Sequence, residues 1–150
     1  MSKQDEAALI LKLYELRKED SMRKARDWYL RDFHPRSIAD FNLSMFSEHS
    51  GQLRMVVYFW EMTAALVNGG AISLDLFTST NDEHIVIFSK IEPWLGEIRE
   101  TFAPQFAVHL EKLIDAVPDG RTQTEKARER AKAFGEQFSK QSKADRQGWS

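Results

Sequence analysis

The sequence has no cysteine, so disulfide scaffolds, thiolate metal sites and cysteine nucleophiles are excluded together. It has no apolar run near the ~20 residues that a membrane-spanning helix requires. Its greasiest stretch, VVYFWEMTAALV at 56–67, is too short and carries Glu61 near its centre. The opening residues lack an apolar core and a small-residue cleavage site, so no signal peptide is expected and the cytoplasm is the expected compartment. Four prolines and seven glycines are few, nearly all at element boundaries, and no repeat or low-complexity linker occurs. A basic excess is missing too: the formal net charge is −2, unlike that of a general nucleic-acid binder.

What is present suits one globular domain. The 150 residues are 42% hydrophobic and 29% charged, and ten Phe, four Trp and three Tyr supply large buried surfaces. Charge is unevenly spread. Residues 1–60 hold ten Lys/Arg against nine Asp/Glu, residues 61–120 three against ten, and residues 121–150 eight against four. These give +1, −7 and +4, so the acidic middle and the basic end can pair within the fold or between copies.

Apolar spacing is helical throughout. Leu9, Leu13 and Leu16, with Ile10 beside them, mark a helix over about 3–19. Ser21 is the expected N-cap of a second, through about Phe33, on which Met22, Ala25 and Tyr29 share a stripe, and Pro35 ends it. Ser37 opens a third, with Ile38, Phe41 and Met45. The fourth, about 51–69, stops at Asn68-Gly69-Gly70. Ser73 starts a short piece, Asn81 or Asp82 caps the next, Pro93 restarts the chain, and Pro104 takes a first-turn place ahead of QFAVHLEKLIDAV. After Pro118-Asp119-Gly120, a capping box from Thr122 to Glu125 opens a last helix over about 122–139, striped by Ala127, Ala131, Phe134 and Phe138.

Placed at about 100° per residue, Arg54, Tyr58, Glu61, Ala65 and Asn68 form one narrow polar stripe on the fourth helix. Met55, Met62 and the other apolar residues fill most of the remaining circumference, so the helix is expected to be central and buried. Arg54 and Glu61 stand two turns apart, about 10 Å, too far to pair by adjacency. A Glu in that position either pairs with a group on another helix or, with Arg54 and Tyr58, lines a polar binding cavity.

Other chemistry finds little support. No His follows a Glu by three residues and no His-x-x-x-His occurs, so no metal site is expected. Neither a Gly-x-Ser-x-Gly elbow nor a phosphate-binding glycine loop is present. The helix-turn-helix-like segment around Gly69-Gly70 leads into SLDLFTSTNDE, which has three acids and no base, against DNA binding. Trp28 and Arg31, on the basic second helix, suit either packing against a neighbour or a docking face. Phe134 and Phe138, on the thinly striped last helix, suit packing on the body or a second copy.

Several of these segments resemble an uncharacterised bacterial all-helical family. The matching positions are Leu13 to Arg17, Ala25-Arg26 with Trp28, Phe59 and Glu61, Gly70 with Ile72, and Trp94 with Ile98-Arg99. Trp60 departs from the pattern, separating Phe59 from a Glu that often follows the aromatic directly. The resemblance covers about 9–102 and consists mostly of packing residues. It implies a helical fold and no particular chemistry, and some members carry membrane segments. It also suggests that Glu61 pairs with Arg26 or Arg99.

The expectation is therefore an all-α, single-domain helical bundle: a body over 1–120 around a buried central helix (about 51–69), and a basic C-terminal helix and tail over 121–150. The expected function is a non-enzymatic interaction or scaffolding module, without a cofactor, that binds a protein partner or a second copy. The alternative is a small-molecule-binding or catalytic protein with a polar cavity around Glu61.

Overall fold

Helices joined by brief turns make up most of the chain in a computed structural model, which describes residues 2–147, with side chains in the last helix as far as Glu136. They are α1 (Lys3–Lys18), α2 (Asp20–Arg31), α3 (Ile38–Met45), α4 (Ser50–Asn68), α5 (Leu74–Thr80), α6 (Glu83–Ser89), α7 (Leu95–Thr101), α8 (Val108–Asp115) and α9 (Gly120–Gln147), with a 3-10 turn at Glu92–Trp94 before α7. No strand occurs among the described residues. The all-α expectation holds.

α4 is central, as its composition predicts. It packs mainly on α8 and α2, while α9 lies chiefly along α6. Leu53, Val56, Val57, Trp60, Ala64 and Val67 place α4 in a core shared with Tyr29, Phe33, Phe41, Phe77 and Phe88. Gly70 ends the helix at φ 86°, where a Cβ would be strained, and the Ala71 amide closes the turn onto the Leu66 carbonyl. Ser37 and Ser73 cap α3 and α5 as expected, each accepting a backbone amide on its hydroxyl.

Four boundaries differ from the sequence reading. α2 begins at Asp20 after a single extended residue, Glu19, so Ser21 lies inside the helix and does not cap it. It ends at Arg31, and Phe33 is buried beyond the helix. Pro104 opens a turn, and α8 starts only at Val108, after Ala107 adopts a left-handed conformation (φ 56°, ψ 26°). α9 starts at Gly120, so Thr122 stands within the helix and the expected capping box does not form. Gly120 starts α9 hard against the end of α8: a Cβ there would lie 1.9 Å from the Ile114 carbonyl oxygen.

The exposed sector of α4 is rotated from the expected stripe. Met55, Tyr58 and Met62 face outward, at 41%, 53% and 49% exposure, whereas Glu61 and Asn68 are half-buried. The start of α8 causes this, because it packs over the edge of the stripe that carries Glu61 and Asn68.

Candidate functional site

Glu61 reaches the N-terminus of α8. Its Oε1 accepts the Leu110 amide at 2.6 Å and its Oε2 accepts the His109 amide at 3.1 Å. α8 needs this help, because Ala107 occupies the N-cap position and α8 has no side-chain cap of its own. A carboxylate at a helix start also complements the positive end of the helix dipole. Asn68, two turns further along α4, donates to the His109 carbonyl at 3.0 Å. Arg54 is exposed and donates to its own helix at the Ser50 carbonyl. Tyr58 faces solvent. The structure thus brings Glu61 to backbone amides of α8, while Arg54 and Tyr58 lie on the exposed side of α4.

The two arginines suggested as partners of Glu61 are engaged elsewhere, which corrects that pairing. Arg26 forms a bidentate pair with Glu83 at the start of α6, at 2.6 and 3.0 Å, and this carboxylate raises the guanidinium pKa above its ordinary value. Arg17 approaches the same carboxylate at 3.8 Å and lies over the Trp60 ring. Arg99 donates to the Phe106 carbonyl at 2.9 Å and pairs with Glu111, also at 2.9 Å. Arg26 and Glu83 are 57 residues apart, a pairing that no spacing rule along one helix could reveal.

Lys90 is the basic counterpart of Glu61. Its side chain is buried at the end of α6, and the ammonium donates to the carbonyls of Tyr29 (2.7 Å), Phe33 (3.0 Å) and Leu30 (3.1 Å) at the end of α2. These carbonyls have no intrahelical donors, and a cation suits the negative end of the dipole. Burial lowers the lysine pKa to about 8, with Asp32 opposing the shift. The buried Tyr29 hydroxyl donates to the Ile87 carbonyl at 2.6 Å, and the same burial raises its pKa well above the ordinary value.

The same arrangement recurs at other helix ends. Glu6, buried on α1, accepts the Ser73 amide at 2.7 Å where α5 begins, and this bond lowers its carboxyl pKa. Arg128, on α9, donates to the Ser89 carbonyl that ends α6. In each case an acid meets a helix start or a base meets a helix end.

The acidic middle and the basic end do pair within the fold. Arg121 binds Asp115 at 2.7 Å, Glu92 at 2.7 Å and Glu111 at 3.0 Å, while Arg128 pairs with Glu92 and Glu125. Hydrogen bonding from Arg121 lowers the Asp115 pKa. At Glu111, burial pushes upward, but Arg121 and Arg99 outweigh it. This network fastens the first turns of α9 to α8 and to the turn before α7. Partly exposed pairs of this kind contribute up to about 1 kcal/mol each.

Of the residues assigned to an interaction face, Trp28 is half-buried and stacks on His49, with centroids 4.9 Å apart. Arg31 is exposed and reaches Asp27 at 4.0 Å. Phe134 is 63% exposed. Phe138 lies outside the residues whose side chains are described. Among the described residues, no cluster of three or more His, Asp or Glu is placed to hold a metal ion, and no helix is long and apolar enough to cross a membrane.

Sequence reasoning missed Glu83, Lys90 and His84. Lys90 did carry a signal, as a single base directly after the apolar run IVIFS. His84 is 4% exposed, packed against Phe77 and Trp60 at 4.9 and 6.0 Å, and burial lowers its pKa to about 4. It forms part of the wall of a cleft of about 400 Å³ between α5, the start of α6 and the α8–α9 turn.

These features define a small all-helical domain whose short helices end on charged side chains from their neighbours. The chain belongs to a family of unknown function: the model for the domain of unknown function DUF4760 matches residues 5–117. The resemblance seen over about 9–102 is borne out, and the match closes just after α8, leaving α9 beyond it. No curated protein and no solved structure matches the chain.

Proposed function

We propose that the protein is a non-enzymatic interaction module that self-associates through α9. One observation supports this reading above others. α9 runs from Gly120 to Gln147, yet Ala127 is its last buried residue among those described, and Glu129 to Glu136 are exposed except for half-buried Ala131 and Gly135. The Ala127, Ala131 and Phe134 stripe therefore continues past the surface that buries its first member. A helix so thinly apolar gains little stability alone, and an exposed aromatic on its stripe is where an added helix gains most.

Charge favours a second copy as the partner. Lys126, Arg130 and Lys132 form no ion pair among the described residues, and the 61–120 region carries ten acids against three bases. Glu6, Glu61, Glu83, Glu92, Glu111, Asp115 and Lys90, meanwhile, are committed to helix ends and ion pairs. Sedimentation equilibrium of the full chain tests the proposal. The expected result is a concentration-dependent dimer that Phe134→Asp abolishes while the helical content of the folded chain is unchanged by circular dichroism. A monomer at every concentration, or a dimer indifferent to Phe134→Asp, would overturn it.

A further inference from the structure

We propose that α9 of one copy docks on the exposed Phe46–Phe102 pair of a second copy, so that two copies exchange their last helices. This rests on self-association through α9 and names the surface that receives it. Phe46, at 75% exposure, and Leu43, at 71%, are the most exposed large hydrophobics among the described residues. They stand three residues apart at the end of α3. The Phe46 ring meets Phe102, which follows α7, with centroids 5.9 Å apart, and Phe102 is itself exposed. The fold thus gathers two aromatics from distant segments and leaves them open to water. Apolar clusters of this kind mark contact surfaces.

Charge and length point to α9 as the occupant. Glu48 lies two residues after Phe46 and Glu100 two residues before Phe102, and both are exposed. Glu48 meets only His49, at 3.6 Å, and Glu100 forms no ion pair among the described residues. Arg54, the exposed base of α4, turns back onto the Ser50 carbonyl. The last helix carries the complement: Arg130 stands one turn before Phe134 on the same face, Lys132 is exposed beside it, and residues 129–150 hold five Lys/Arg against three Asp/Glu. An aromatic among bases therefore meets an aromatic pair among acids. After Ala127, α9 continues over 128–147, about 30 Å of helix, which is the breadth of a small domain. Two such contacts related by a two-fold axis close the assembly at a dimer.

Sedimentation equilibrium of the full chain tests the docking, using Phe46→Asp, Phe134→Asp and an equal mixture of the two variants. Each variant alone damages both contacts and should weaken the dimer about a hundredfold. The mixture should weaken it only about tenfold, because an intact α9 then meets an intact Phe46 surface and all the damage falls on the other contact. Leu43→Ser reads the same surface independently and should also weaken the dimer. All three side chains are exposed, so native helical content by circular dichroism is expected throughout. A dimer weakened by Phe134→Asp but by neither Phe46→Asp nor Leu43→Ser would mean that α9 pairs with α9, overturning the docking and sparing self-association through α9. A dimer weakened at Phe46 but not at Phe134 would mean that body meets body, overturning both. A mixture no tighter than its components would overturn the exchange. A monomer at every concentration would overturn the docking together with self-association.

Discussion

Glu61 and Lys90 do the same job at opposite poles of the helix dipole, in opposite surroundings. Glu61 is half-buried, accepts two amides at the start of α8, and remains in reach of water. Lys90 is 7% exposed and reaches three carbonyls at the end of α2, with no carboxylate in ion-pair range among the described residues. The partially hydrated acid stabilises its helix start at small cost. The buried base satisfies groups that nothing else could reach, and burial penalises its charge, as its lowered pKa shows. The sign of the dipole thus decides which charge stands where, while burial decides how much depends on it.

The largest effect is expected from Lys90→Ala. It leaves three carbonyls without their donor and opens a void along the lysine stem, so unfolding free energy in urea should fall by about 3 kcal/mol. Equal destabilisation by Glu61→Ala would break the comparison.

The pH dependence separates the two next. Unfolded Lys90 holds its proton to about 10.5, whereas folded Lys90 releases it near 8. The unfolded state therefore binds more protons between these values, and stability should rise by about 2 kcal/mol from pH 7 to 9.5. Above pH 10 the trend reverses, because Tyr29 ionises only on unfolding. Lys90→Met should flatten the rise, and Glu61→Gln should leave it intact.

Glu61→Ala should cost about 1 kcal/mol, the usual price of losing a helix cap. Glu61→Gln should cost less, since one amide oxygen can still accept one of the two N–H groups. Arg54→Ala comes last, at less than about 0.5 kcal/mol, because the arginine is exposed and bonds only to its own helix. A larger loss would return Arg54 to a shared site with Glu61.

Much of the fold was legible in the sequence. The buried helix expected over about 51–69 is α4, Ser50–Asn68, because composition and the Gly69-Gly70 stop are local signals. The pairing of an acidic middle with a basic end was also legible, and Arg121 and Arg128 realise it. The partner of Glu61 was not. Backbone amides at a helix start leave no mark in a sequence, and the left-handed turn at Ala107 that exposes them is taken by a residue that seldom adopts it. That turn also explains why Pro104 misled as a helix start. His84 was hidden for another reason: a histidine beside a glutamate reads as a solvated pair, and only the packing of α6 on Phe77 and Trp60 buries it.

The most direct test of charged side chains capping helices across the fold is to measure hydrogen exchange of the His109 and Leu110 amides in the native chain and in Glu61→Ala. If the Glu61 carboxylate holds both amides, both are protected in the native chain and both lose protection together in the variant. Protection of the two amides that Glu61→Ala leaves unchanged would contradict the cap on α8.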